Sequence, residues 1–416
     1  MAITTDDPVI DLLDPSAFAG GHPFEQYRWL REQRPVHRHQ EPDGPGFWAV
    51  TRYEDVKEVG RDHRTFSSAP TIMITDPPPG AAMTPEGHQM MLMADPPVHT
   101  ALRRLVSGDF TPRGAGGWRA RVEELATLIV DEVIERGSCD LVDDLAGEMP
   151  SFVVAEFFGL PHQDGRDLYR LTETIHASPG SVPAGAPAAA VGEMMGRATE
   201  VWQRATSGTG SSELVAALTT AEVDGRPFDA VDFALFFLLL VDAGGDTTRN
   251  LVAGGMDALF AHPGQRAWLM ADLDSRLPGA IEELLRWVSP VVHMRRTATV
   301  DTVLGGCPVA AGDKVVMYYG SANRDPAAFA DPDRLDLSRT PNRHVAFGGG
   351  GPHFCLGAHL ARIEIAALLR AVLTRLHDLE PTGPTEWLPS VFISGPRHLP
   401  VRFTPGARRS VATSTT

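Results

Sequence analysis

Residues 344–357 read His344-Val345-Ala346-Phe347-Gly348-Gly349-Gly350-Gly351-Pro352-His353-Phe354-Cys355-Leu356-Gly357, and the run after them, Ala358-His359-Leu360-Ala361-Arg362-Ile363-Glu364, has a helical pattern. Glycines lead into a cysteine, and the cysteine leads into a helix. Unpaired N–H groups and the dipole at a helix N-terminus favour a thiolate, which suits sulfur to bind a metal. Glycines before it let the backbone approach a flat group closely and turn N–H groups toward sulfur. Three other readings compete. A phosphate loop lacks the following Lys-Ser/Thr and a leading parallel-strand unit. A zinc cluster of His344, His353, Cys355 and His359 lacks a Cys-x-x-Cys pair. A buried, inert cysteine is the third.

Upstream, residues 229–261 form a long helical pattern that follows Pro227 and ends at His262-Pro263, with Ala243-Gly244-Gly245-Asp246-Thr247-Thr248 in its middle. A glycine inside a helix costs about 1 kcal/mol relative to alanine, so two of them call for a reason. A kinked core helix with a Thr back-bond is the plain one. Glu283-Leu284-Leu285-Arg286 places an acid and a base three apart on one helical face, a spacing common in surface ion pairs. Asn323-Arg324-Asp325-Pro326 follows, running through Phe329, Pro332, Asp333 and Arg334. His99 and Arg103, four apart on the pattern beginning at Val98, share a face.

Taken together in this order, these segments resemble the cytochromes P450. The segment Phe347–Gly357 is similar to the family's cysteine-ligand loop, Phe-Gly-x-Gly-x-His/Arg-x-Cys-x-Gly, with one extra residue between Phe347 and His353. A similar four-glycine form occurs among actinobacterial members, including those that hydroxylate methyl-branched lipids and sterols. The resemblance implies haem b (iron protoporphyrin IX) held by the Cys355 thiolate, with Phe347, Gly348, His353 and Gly357 against it. Ala243-Gly244 resembles the start of the oxygen-binding motif and implies room for dioxygen, with Asp246 and Thr247 relaying protons. Glu283, Arg286, Arg324 and Arg334 are implied as scaffold, and His99, Arg103, Arg296 and His353 as partners of the haem propionates. Asp242 stands where the family usually has an aliphatic residue. It either recognises an amine or hydroxyl of the substrate or bonds a nearby side chain, since an unpaired buried charge is expensive.

The chain has 416 residues, 43% of them hydrophobic, and a formal net charge of −16. That is enough apolar material for a large core, and the acidic balance argues against a nucleic-acid binder. Residues 1–22 show no secretory or transit pattern. The longest apolar run, Phe233 to Val241, is too short to span a bilayer, so no membrane anchor and a cytoplasmic location are expected. Cys139, Cys307 and Cys355 are scattered and offer no disulfide framework.

Helical patterns prevail at 23–33, 53–61, 98–107, 117–136, 151–158, 164–176, 190–206, 211–221, 229–261, 264–273, 278–288 and 356–377. Small strands are expected at 36–40, 47–51, 300–304, 314–318 and 399–403. The fold class is mainly α with small β regions, which the resemblance makes the P450 prism. Residues 1–416 read as one domain without a fused reductase, with β-containing parts about 36–51, 291–320 and 385–403. Pro-rich stretches 69–97 and 177–191 read as irregular connections, candidate covers for a substrate.

By the same resemblance, substrate walls come from Leu239, Asp242, Val291, Val292, Met294, Phe392 and Ile393, and Met73, Met90, Met91 and Met93 suit an adaptable lid. A small lipophilic substrate follows: a terpenoid, steroid, branched lipid or polyketide of secondary metabolism. Electrons would come from a ferredoxin and ferredoxin reductase with NAD(P)H, met by Arg103, Arg104, Arg113 and Arg362, and the chain would act as a monomer. Hydroxylation is the reaction implied. Epoxidation or oxidative coupling and ring formation keep the same motifs, and a haem sensor without turnover is the rival from another class.

Overall fold

The computed structural model describes residues 9–76, 84–176 and 182–409. The reading of residues 1–8 as leaderless, and parts of both irregular connections (77–83 and 177–181), fall outside the described residues, as does the tail 410–416.

The helices are, in chain order, α1 (Phe24–Gln33), α2 (Tyr53–Arg61), α3 (Val98–Phe110), α4 (Pro112–Gly117), α5 (Arg119–Val133), α6 (Glu148–Phe157) and α7 (His162–Ile175). After them come α8 (Ala186–Ser207), α9 (Glu213–Leu218), α10 (Ala230–Ala261), α11 (Pro263–Met270), α12 (Leu273–Val288), α13 (Tyr319–Ala322) and α14 (Ala358–Arg375).

Helix α10 is the axis of the fold. Asp229 caps it by accepting from the N–H groups of Val231 and Asp232, while the Asp232 carboxylate accepts from the Asp229 N–H. This reciprocal box sets the start of the helix. Pro263 ends it and opens α11, because proline has no N–H to continue the ladder yet suits a first helical position. Apolar almost all round, α10 needs cover on every side. Helices α6, α7, α8, α12 and α14 supply it. The resulting apolar cluster includes Val106 on α3, Phe237 and Leu251 on α10, Leu284 on α12, Leu368 on α14 and Phe403 near the end of the described chain.

A five-stranded sheet flanks this body, in the order Val36–His39, Phe47–Val50, Lys314–Tyr318, His293–Ala298, Phe66–Ser67. Only the pairing of Lys314–Tyr318 with Phe47–Val50 is parallel. Successive side chains of a strand face opposite ways, and Arg295 and Arg296 part company for that reason. Arg295 donates to the carbonyls of Met73 and Ile74 and pairs with Asp76, 2.5 Å away. Lys314 also reaches Asp76, at 2.8 Å, so the first part of the 69–97 connection is fastened to the sheet.

Several boundaries differ from the sequence reading. The pattern at 117–136 begins after a break at Trp118, which closes the glycine-rich α4 and precedes α5. Helix α12 starts at Leu273 rather than 278, because Asp272 caps it and Pro278 is tolerated inside. The stretch 177–191 is helical from Ala186 onward, with Pro187 in the first turn of α8. Strand His293–Ala298 falls within the β-containing part expected at about 291–320 but is not among the separate strands expected there, because adjacent arginines do not look like a buried strand. Among the described residues no helix is long and apolar enough to cross a membrane.

Candidate active site

The Cys355 loop is closed by two backbone bonds, from Cys355 N–H to the Phe347 carbonyl (3.0 Å) and from Gly348 N–H to that of Val345 (2.9 Å). Gly348 has φ +98°. The longer glycine run is accommodated against α2. A Cβ on Gly351 would lie 2.4 Å from the Gly60 carbonyl oxygen, and one on Gly349 would lie 2.9 Å from the Lys57 Cα. With φ at +79° as well, Gly351→Ala is expected to cost about 1–3 kcal/mol of stability in denaturant unfolding. Gly357→Ala, with nothing within 4 Å of the added carbon, should cost much less.

The loop is tied to α12 through Glu282, whose carboxylate takes bonds from Arg362 (2.6 and 2.7 Å) and faces His344 Nε2 at 3.1 Å. Burial opposes ionisation of Glu282, yet these bonds outweigh it and hold its carboxyl down at about 2. A depressed carboxyl stabilises the fold fully above its unfolded value and loses that contribution as pH falls toward the folded one. Acid unfolding followed from pH 5 to pH 2 should therefore be steeper in the parent than in Glu282→Gln.

His344 is thus engaged with Glu282, and His353 Nε2 lies 2.9 Å from Ser68 Oγ. A zinc cluster with Cys355 and His359 is not assembled among the described residues. Burial pushes the Cys355 thiol up, while the Gly357 N–H and the guanidinium groups of Arg103 and Arg362 pull it down. Such a sulfur ionises fully when a metal cation becomes its partner.

Beside the loop, four nitrogen-bearing side chains converge. The rings of His99 and His353 have centroids 4.2 Å apart. Burial first, and then neighbouring Arg103 and Arg296, hold His99 down at about 4. Burial, Arg296, His99 and Arg103 hold His353 down at about 2. The buried Nδ1 of His99 has no partner, and the buried Arg296 donates only to the Arg295 carbonyl. No carboxylate of the described residues pairs with Arg103 or Arg296. A sulfur donor on one side of a buried cationic cradle suits iron in a ring that carries two carboxylates.

In the middle of α10 the burial is interrupted. Ala243 is exposed although the helix is buried on both sides of it, and Gly244 and Thr247 are half-buried. Thr247 Oγ1 donates to the Ala243 carbonyl at 3.0 Å, the back-bond expected of a threonine here. Asp246 is buried, one of its oxygens lacks a partner, and burial raises its carboxyl. Arg249 lies 3.7 Å from Asp246 and bonds Glu173 on α7 at 2.8 Å. That chain of charges reaches solvent at Glu173, 43% exposed. Asp242 bonds a nearby side chain: its Oδ1 lies 2.6 Å from His176 Nε2.

Glu283 and Arg286 are both fully buried and doubly bonded, each contact 2.8 Å. The third member of this group is Arg339, whose Nε is 3.1 Å from Glu283. This corrects the expectation for Arg324 and Arg334. Arg324 pairs with Asp333 and lies over Trp287, and Arg334 offers only its carbonyl to Arg286. Two further expectations are corrected. Val292 is fully buried in the sheet cluster with Val316 and Tyr318, facing away from its strand neighbour Val291. Of the four arginines expected to meet a ferredoxin, Arg362 is bound to Glu282 and lies over Phe347, and Arg103 is half-buried beside Cys355; Arg104 and Arg113 remain exposed.

The other expected wall residues divide by burial. Val291, Met294 and Phe392 are half-buried, whereas Leu239 and Ile393 are buried; Val291 and Ile393 form an isolated antiparallel bridge outside the strands.

A mainly helical body with a cysteine loop, a cationic cradle and an opened central helix defines a haem-thiolate oxygenase. The cytochrome P450 family model matches residues 275–387. A methyl-branched lipid omega-hydroxylase of Mycobacterium tuberculosis is 40% identical over 371 residues, covering 86% of this chain and 85% of that protein. A steroid C26-monooxygenase of Mycolicibacterium smegmatis is 35% identical over 407 residues, covering 96% and 97%. The solved structure of a Mycobacterium marinum cytochrome P450 with pseudoionone superposes with a TM-score of 0.87 at 38% identity, covering 96% of this chain and all of that one. The chain belongs to the cytochrome P450 family, of the actinobacterial type, and is a haem-dependent monooxygenase.

Proposed function

We propose that this enzyme hydroxylates an unactivated C–H bond of a lipophilic small molecule of the branched-lipid, terpenoid or steroid kind, with Cys355 as the iron ligand. The observation that supports this reading is Cys355 lying beside the buried group of His99, Arg103, Arg296 and His353. His99, Arg103, Arg296 and His353 would hold the propionates. When bound, haem supplies the activation of dioxygen with electrons from a separate redox partner.

The protein's own part is to deliver protons and exclude water. Asp246, whose carboxyl is raised by burial, directly precedes Thr247 and is the group to take up and pass on a proton, with Arg249 and the part-exposed Glu173 leading from it to solvent. Half-buried Val291, Met294 and Phe392 make an apolar wall, where a lipophilic skeleton displaces water. A complete relay favours hydroxylation over a sensor without turnover. We propose further that the chain works as a monomeric single domain in the cytoplasm and takes its electrons from a ferredoxin at the face bearing Arg104 and Arg113.

The test is turnover with ferredoxin, ferredoxin reductase and NADPH on methyl-branched lipids, terpenoid ketones and steroids under labelled dioxygen. One labelled oxygen atom per product is the expected result. Binding without any product across all three classes would favour the sensor, and a coupled product without the label would favour ring formation.

A further inference from the structure

Three walls of the candidate pocket meet at His176, the residue that closes α7. Its Nε2 lies 2.6 Å from Asp242, directly before Ala243 on α10. Its ring lies on that of Phe392, with centroids 5.6 Å apart and planes at 29°. Phe392 is held by its carbonyl, which accepts from the Val292 N–H at 2.8 Å, and by its edge contact with His293. The His176 and Asp242 side chains are 19% and 28% exposed, so the pair belongs neither to the core nor to the open surface. It is a polar spot beside Phe392 and next to Ala243 on α10.

Resting on the function proposed above, we infer that His176, oriented by Asp242, determines specificity by donating a hydrogen bond to an uncharged hydroxyl or carbonyl oxygen of the substrate. Nε2 donates to the Asp242 carboxylate, so Nδ1 donates once the ring is protonated. Burial opposes that charge, but the bond and charge of Asp242 outweigh it and raise the imidazole's pKa. Among the described residues no group bonds Nδ1. The Asp242 contact fixes the ring plane, as a carboxylate does for an imidazole in many sites. An anionic substrate group fits poorly. It would lie beside the Asp242 carboxylate, which already takes up the charge of the imidazolium. A neutral oxygen meets only the donor. A hydrogen bond to a charged group in a dry pocket contributes enough to separate ligands by roughly tenfold or more. Asp242 is then a positioning residue, and His176 touches the ligand.

The experiment uses the haem-loaded enzyme and follows the spin-state change of the iron on titration with testosterone, its oxygen-free parent androstane, and myristic acid. Testosterone is expected to bind about tenfold more tightly than androstane. His176→Phe and Asp242→Asn should erase that ratio while moving the androstane Kd by less than about twofold. A merely structural role for the pair would shift both steroids alike. An unchanged ratio in His176→Phe overturns the inference, as does a larger loss for myristic acid than for testosterone, or the absence of a response to any of the three in the parent. If the parent lacks a thiolate-haem spectrum altogether, the function proposed above fails, and that outcome is visible before any ligand is added.

Discussion

Glu283→Gln is expected to lower folding stability by about 3–5 kcal/mol, the range for breaking a buried ion pair by removing one charge. Five donors converge on that carboxylate: two from Arg286, one each from Arg339 and Asn342, and the backbone N–H of Asp336. The pair at the centre of this network has no access to water, since Glu283 and Arg286 are 0% exposed. The Arg286 guanidinium also holds the carbonyls of Asn323, Pro332 and Arg334. Neutralising Glu283 therefore leaves a buried cation and frees the segment that leads into the Cys355 loop. Chemical unfolding of the apoprotein would report the loss directly, and haem retention on gel filtration should fall with it. A change below about 1 kcal/mol would mean that the network does not hold this segment.

Asp246→Asn should lower the rate of substrate oxidation by about 10²–10⁴, the usual contribution of a positioned proton donor. The amide keeps the size and burial of the side chain but cannot take up and pass on a proton that arrives from the solvent side at Glu173. Ligand-induced spin shifts should stay within a few-fold of the parent, because Asp246 is buried beside Arg249 rather than in the apolar wall. NADPH consumption should continue with peroxide as its product. An unchanged oxidation rate would remove Asp246 from the relay.

What the sequence disclosed was local. The Cys355 string, Ala243 to Thr248 and the Glu283/Arg286 pair each carry their geometry in consecutive or helically spaced residues, so they could be placed before any fold was known. Arg339 could not. Its role depends on the chain returning to Glu283 from 56 residues away, and nothing in its neighbourhood distinguishes it from Arg324 or Arg334. His176 was hidden for the same reason, since a lone histidine ending a helix has no pattern of its own. Asp242 stands out in the sequence as an acid that must bind the substrate or a nearby side chain, but its partner, 66 residues earlier, has no local signal. The strand His293–Ala298 illustrates the complementary failure: alternation was present, but its two faces carry charged residues that bind a loop on one side and line the cradle on the other. The longer glycine loop became intelligible once Gly349 and Gly351 were seen pressed on α2.

The central claim is that Cys355 is a thiolate ligand of haem iron, and the reduced carbon monoxide spectrum tests it most directly. The haem-loaded parent, reduced with dithionite under carbon monoxide, should show its Soret maximum near ~450 nm, the position that a thiolate trans to the gas produces. Cys355→Ser should lose that band even where haem is still retained. A parent maximum near ~420 nm, or a Cys355→Ser protein that keeps the ~450 nm band, would contradict the assignment.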